Sequence, residues 1–227
     1  MAEEDDVGGM IPLADASRQP RRFAAATATI IAINAVVFLL ELIGGDAFVK
    51  QWSMVPADIV AGRHWINILT AMFMHGGWMH ILGNMVFLWA FGPEVEDAMG
   101  PLRYVVFYLL SGLVASVAQI VAMPTSTIPN LGASGAIAGV MGAFLITYPG
   151  DQIKTVLFFG WFARITLIPA ALLIGFWFLI QLFSQVGAVA AVNTGGVAYM
   201  AHVGGFVFGA ATARIFESSP RTAGRRT

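Results

Sequence analysis

Gly132-Ala133-Ser134-Gly135-Ala136-Ile137-Ala138-Gly139-Val140-Met141-Gly142 is the stretch that decides the architecture. Gly135 and Gly139 recur at helical spacing on one face, and small residues at that spacing let helix backbones approach closely in lipid. Packing alone does not account for a serine at the very front of the helix. Nor does it account for the shortness of the apolar run, which ends before Tyr148-Pro149-Gly150-Asp151. That run is roughly 15 residues, about 22 Å of helix against about 30 Å of hydrocarbon. The helix is therefore expected to start inside the membrane, below the outer surface. Its first N–H groups would lack partners and would present the positive end of the helix dipole to whatever lies above Ser134. Such an end suits a developing oxyanion. It is tolerable only beneath a hydrated cavity that opens outward.

The rest of the chain supports a membrane reading. Of its 227 residues 58% are hydrophobic and 11% charged, too apolar for an ordinary soluble domain of this length. Charge-poor windows of helical length run over 24–43, 78–92, 102–123, 165–183 and 196–216, with the short Ser134 helix between the third and fourth of these. No sustained strand alternation separates them, and backbone in lipid must satisfy its own hydrogen bonds. The expected fold is all-α: a polytopic bundle of six transmembrane helices over 24–216, a polar cytoplasmic segment over 1–23 and a polar cytoplasmic tail over 217–227. Arg18, Arg21 and Arg22 precede the first helix, Arg103, Lys154 and Arg164 fall near the 2–3 and 4–5 connections, and Arg214, Arg221, Arg225 and Arg226 close the chain. This bias places both termini in the cytoplasm. The acidic start Met1-Ala2-Glu3-Glu4-Asp5-Asp6 resembles neither a cleavable signal nor a transit peptide, so a bacterial inner membrane is expected. A net charge of −1 gives no reason to expect a nucleic-acid partner. With no cysteine there is no thiol chemistry and no thiolate metal site.

Polar groups inside apolar spans are costly, and each is a candidate for function. Asn34, Gln119 and Gln181 read as interhelical hydrogen-bonding residues. Ser134 needs a general base, and the best candidate is His202 in Ala201-His202-Val203-Gly204-Gly205-Phe206-Val207-Phe208-Gly209. Gly205 and Gly209 clear the face that carries the imidazole, so this helix can approach the small-faced helix of Ser134. The competing reading is a lone histidine bonded to a backbone carbonyl. No acidic residue lies near His202 in sequence, so a dyad without a third member is expected. In His75-Gly76-Gly77-Trp78-Met79-His80-Ile81-Leu82-Gly83-Asn84, His80 and Asn84 are one helical turn apart. Both suit the stabilisation of a tetrahedral oxyanion. Two histidines without a carboxylate, and a third more than a hundred residues away, argue against a zinc site.

Taken together these segments resemble the rhomboid family of intramembrane serine proteases. Gly132-Ala133-Ser134-Gly135 matches the family's Gly-x-Ser-Gly, His75, His80 and Asn84 its His-x4-His-x3-Asn, and Ala201-His202-Val203-Gly204-Gly205 with Gly209 its last-helix histidine motif. The resemblance implies Ser134 as nucleophile and His202 as base and acid. It implies an oxyanion hole of His80, Asn84 and the Ser134 N–H, with His75 ordering the loop above the site. It implies a first loop over 44–77 partly sunk in the outer leaflet, a framework role for Glu96, and no cofactor. Substrates would be single-pass membrane proteins cut at a site open to the outer side, reached between the second and fifth helices, where Phe176, Trp177 and Phe178 are candidates for a gate. Nothing in the sequence specifies an oligomeric state. Two positions depart from the pattern. Ala138 stands where some relatives stack an aromatic on the imidazole, and Arg63-His64-Trp65 replaces a Trp-Arg pair. A catalytically silent relative that binds membrane proteins or acts in quality control is the alternative. A transporter would want inverted repeats, which are absent.

Overall fold

The structure, a computed structural model, describes residues 10–159, 162–190 and 198–218. The side chain of Gln181, the start of the 196–216 window, and Arg221, Arg225 and Arg226 lie outside the described residues. The described chain is mostly helical. In order it comprises β1 (Met10–Asp15), α1 (Ala25–Trp52), α2 (Pro56–Val60), α3 (Asn67–Thr70), a 3-10 turn (Ala71–Phe73), α4 (Trp78–Met99), α5 (Pro101–Ala122), α6 (Ser134–Thr147), β2 (Gln152–Phe159), β3 (Phe162–Pro169), α7 (Ala170–Ala190) and α8 (Tyr199–Phe216).

By length and composition, α1 and α5 qualify as helices that can cross a membrane. α1 breaks at Gly45, whose φ of 59° lies in the left-handed region that glycine tolerates without strain. The break falls where the apolar run of the sequence ends. α6 is the hub: every residue from Gly135 to Phe144 is buried, and the helix packs against α8, α5 and α4. Its burial on all sides follows from composition, because a helix apolar all round can only be a core helix or a span.

Two expectations about the ends of the bundle are corrected. The fold is not purely helical, since β1, β2 and β3 form an antiparallel sheet in that order. Residues 10–15 thereby pair with β2, beyond α6 in the chain. The 165–183 window is also two elements: residues up to Pro169 belong to β3, and α7 begins at Ala170, whose N–H donates to the Asp151 carbonyl (2.7 Å). The run 152–169 is rich in β-branched and aromatic residues, which suit a pleated surface. Both of its faces carry apolar side chains, so period-2 alternation is blurred. The sheet is clasped by Arg18, whose guanidinium meets Asp151 at two points, one of them Nη2 to Oδ1 at 3.0 Å, and lies over the Tyr148 ring at 3.8 Å.

Glu96 occupies a framework position. Its carboxylate accepts from the N–H groups of Ala26 (3.0 Å) and Thr27 (2.7 Å) and from the Thr27 hydroxyl (2.8 Å). It therefore satisfies the orphan donors of the first turn of α1 from a neighbouring helix. Asn34 faces the Tyr108 hydroxyl of α5, as an interhelical hydrogen-bonding residue should, while its NH2 donates one turn back to the Ile30 carbonyl (2.8 Å). The NH2 of Gln119 donates to the Met123 sulfur just past its own helix (3.6 Å). A short polar side chain in a span can always reach the carbonyl one turn back.

Candidate active site

Ser134 is the first residue of α6, and the residue before it, Ala133, has no side chain able to cap the helix. The first N–H groups of α6 are thus left for another acceptor. The approach to Ser134 is fixed by the loop after α1. Asn130 exchanges two backbone hydrogen bonds with Met54 (2.7 and 3.0 Å), and the Gly132 N–H donates to the Ala71 carbonyl (2.9 Å). Gly132 adopts φ 136°. A Cβ there would lie 2.9 Å from His80 Nε2 and 3.5 Å from Ser134 Oγ, so the glycine keeps open the space between those two groups.

His202 stands in the first turn of α8, buried, with Nε2 at 2.7 Å from Ser134 Oγ. The two helices reach this distance because α6 and α8 meet backbone to backbone. A Cβ on Gly205 would overlap the Gly135 carbonyl oxygen, and one on Gly209 would overlap that of Gly139. Gly135 in turn sits against α5, where a Cβ would lie 2.6 Å from that of Ala115.

His80 and Asn84 lie on one face of α4, and both border the cavity of about 430 Å³ that Ser134 and His202 also line. The His80 Nδ1 accepts from the Gly76 N–H (3.2 Å). In the neutral ring this places the proton on Nε2, the nitrogen beside Gly132. Asn84 is buried and its NH2 group has no partner among the described residues. A buried donor without an acceptor costs about 1–3 kcal/mol, and the cavity that Asn84 borders is where water or a bound group can supply one. His75 sits behind this pair: its N–H donates to both oxygens of Glu41 on α1 (3.0 and 3.1 Å), and its ring packs edge-on to that of His80 at 5.2 Å. A link from α1 to the loop before α4 is therefore in place.

One contact had no signature in the sequence. The Trp177 ring of α7 lies 5.8 Å from that of His202, tilted by 44°, and 6.5 Å from Phe206. Phe178 stacks on Phe206 at 4.2 Å, while Phe176 is exposed. The three consecutive aromatics thus divide, two turning into the bundle and one outward. Trp177 and His202 are 25 positions apart on different helices, beyond any periodicity argument.

The arrangement brings together a hydroxyl, an imidazole within hydrogen-bond reach, two further donors and the open end of a helix, all facing one cavity. Hydroxyl plus base is the geometry of nucleophilic acyl transfer. The Rhomboid domain family matches residues 62–219. The chain is 36% identical over 111 residues to rhomboid protease GluP of Bacillus subtilis, covering 48% of this chain and 21% of that protein. It is 27% identical over 185 residues to rhomboid protein 1, mitochondrial, of Saccharomyces cerevisiae, covering 79% of this chain and 50% of that one. To the mitochondrial RHOMBOID-like protein 6 of Arabidopsis thaliana it is 29% identical over 164 residues, 72% and 48% of the two chains. The chain spans half or less of the length of each of these three relatives.

Proposed function

This chain belongs to the rhomboid family, and from that premise we propose that it is an intramembrane serine endopeptidase that hydrolyses peptide bonds of membrane-protein substrates with Ser134 as nucleophile and His202 as general base. The observation that carries the reading is the 2.7 Å approach of Ser134 Oγ to His202 Nε2 at the front of α6. The silent alternative has no observation in its favour, since the hydroxyl, base and further donors all face one cavity.

In this reading His202 Nε2 takes the Ser134 proton as Oγ attacks the scissile carbonyl carbon. The oxyanion forms against Asn84 Nδ2, His80 Nε2–H and the Ser134 N–H, donors carried by residues that line the cavity. The imidazolium returns its proton to the leaving amine and an acyl-Ser134 ester remains. Water then attacks that ester with His202 again as base, which releases the acid and restores the hydroxyl. The water needed for this step is a further reason for a hydrated cavity at membrane depth. The wider picture is a bundle of six spanning helices within 24–216, preceded by a polar segment over 1–23 whose residues 10–15 join the sheet with 152–169 and followed by a polar tail over 217–227. It would stand in a bacterial inner membrane, both termini cytoplasmic, and take single-pass proteins from the outer side.

The test is cleavage of a single-span reporter by purified protein in detergent. Two fragments are expected from the wild type and none from Ser134→Ala or His202→Ala. Persistent cutting by Ser134→Ala would overturn the assignment.

A further inference from the structure

Glu41 is a buried carboxylate on α1 that does not border the cavity of the dyad. Both of its oxygens accept from one backbone donor, the His75 N–H (3.0 and 3.1 Å), and these are its hydrogen bonds among the described residues. We propose that Glu41 is the positioning residue for His80: by fixing the backbone at 75–76 it holds the His80 ring with Nε2–H toward the space beside Ser134. This inference rests on the protease reading above, in which that N–H helps to stabilise the oxyanion.

Three observations carry it. First, the segment between the 3-10 turn and α4 is only residues 74–77, and two of its amides are satisfied by side chains. The Met74 N–H donates to the Ala71 carbonyl, whereas the His75 N–H goes to Glu41 and the Gly76 N–H to His80 Nδ1 (3.2 Å). Without Glu41 the buried His75 N–H loses its acceptor, and a buried amide is driven to find another. The adjoining Gly76 amide turns with it. Second, the Gly76 N–H keeps Nδ1 an acceptor and so leaves the proton of the neutral ring on Nε2. That nitrogen borders the space at Gly132, where a Cβ would lie 2.9 Å from it and 3.5 Å from Ser134 Oγ. With the proton on Nδ1, a lone pair would face the developing oxyanion and repel it. Third, the His75 ring is buried edge-on to that of His80 at 5.2 Å. A turn of residue 75 therefore disturbs His80 through packing as well as through its proton.

A carboxylate that merely tied α1 to the loop would affect stability. One that positions an oxyanion donor affects the chemical step. Glu41→Met fills much the same space without an acceptor. It is expected to lower kcat per folded molecule about 10- to 100-fold with KM little changed, short of the cost of deleting a donor outright, about 10²- to 10³-fold. Glu41→Gln, whose amide oxygen can still accept from the His75 N–H, should keep most of the wild-type kcat. A readout independent of turnover is the ring-nitrogen NMR resonances of His80 in Ser134→Ala protein, assigned by comparison with His80→Ala. They are recorded at about pH 8, where an ordinary histidine is neutral, and should show Nε2 protonated and Nδ1 bare. Adding Glu41→Met should raise the share of Nδ1–H, and adding Glu41→Gln should not. Glu41→Leu replaces the methionine variant if that one does not fold. An unchanged kcat per folded molecule in the apolar variant would overturn the proposal, as would unmoved His80 resonances. Absence of cleavage by the wild-type chain in the same assay would instead overturn the protease reading, and this inference with it.

Discussion

The backbone of Gly205 rests directly on that of Gly135, so closely that a methyl group on Gly205 would overlap the Gly135 carbonyl oxygen. The contact repeats one turn further on, between Gly209 and Gly139. These two steps set the separation of α6 and α8, and with it the distance between Ser134 and His202.

Gly205→Val is accordingly expected to push the helices apart. Overpacking of this kind costs about 1–3 kcal/mol, and backbone has less room to relax than a side chain. The unfolding midpoint in detergent should fall, and reporter cleavage should fall further than the lost folded fraction explains, because His202 retreats from Ser134. A variant with normal cleavage would show that the glycine contact does not set the dyad distance.

Asn84→Ala removes a buried donor that has no partner among the described residues. The fold should tolerate the change, while kcat drops about 10²- to 10³-fold with KM nearly constant, equivalent to about 2.7–4 kcal/mol of transition-state stabilisation. Steady-state kinetics on the reporter decide it; an unchanged kcat would remove Asn84 from the oxyanion hole.

Glu96→Ala strips the cap from α1. Three hydrogen bonds to a buried carboxylate disappear, and a loss of about 2–3 kcal/mol is expected from the cap and the charge-assisted bonds together. It should register as a lower unfolding midpoint. Per folded molecule kcat should stay near wild type, as Glu96 lies outside the cavity that holds the dyad.

The clasp of the sheet should respond to pH. Burial pushes the Asp15 pKa from 3.8 to about 7, and the neighbouring carboxyl of Asp151 adds to the rise although the Ser17 N–H and Arg18 oppose it. Between those values the folded protein holds a proton that the unfolded chain has released. Stability therefore declines as pH rises from about 4 to about 7. Asp15→Asn can still accept from the Ser17 N–H and should flatten that decline, as unfolding midpoints across the window would reveal.

Much of this was legible in the chain itself. A serine heading a helix too short to span, histidine and asparagine one turn apart, and glycines spaced to clear the face of His202 are all local patterns. Local pattern determines which residues share a helix face and which helices can pack closely. The start of α6 at Ser134 and the break of α1 near Gly45 follow from the same reading, because both mark where an apolar run begins or stops.

Other features depended on long-range pairing. Residues 10–15 become a strand only because 152–159 present an edge to them, and no periodicity within so short a segment announces a partner more than a hundred residues away. Asn34 and Gln119 direct their NH2 groups one turn along their own stretch of chain, a choice made by available acceptors and not by residue type. The aromatic against His202 could have come from any neighbouring helix once position 138 held alanine. The sequence by itself determined the candidate polar groups and the faces that carry them, since these follow from residue identity and helical period. Only the tertiary structure decided that Trp177 stands beside His202 and that a sheet closes one end of the bundle, since both depend on how elements distant in the chain come together.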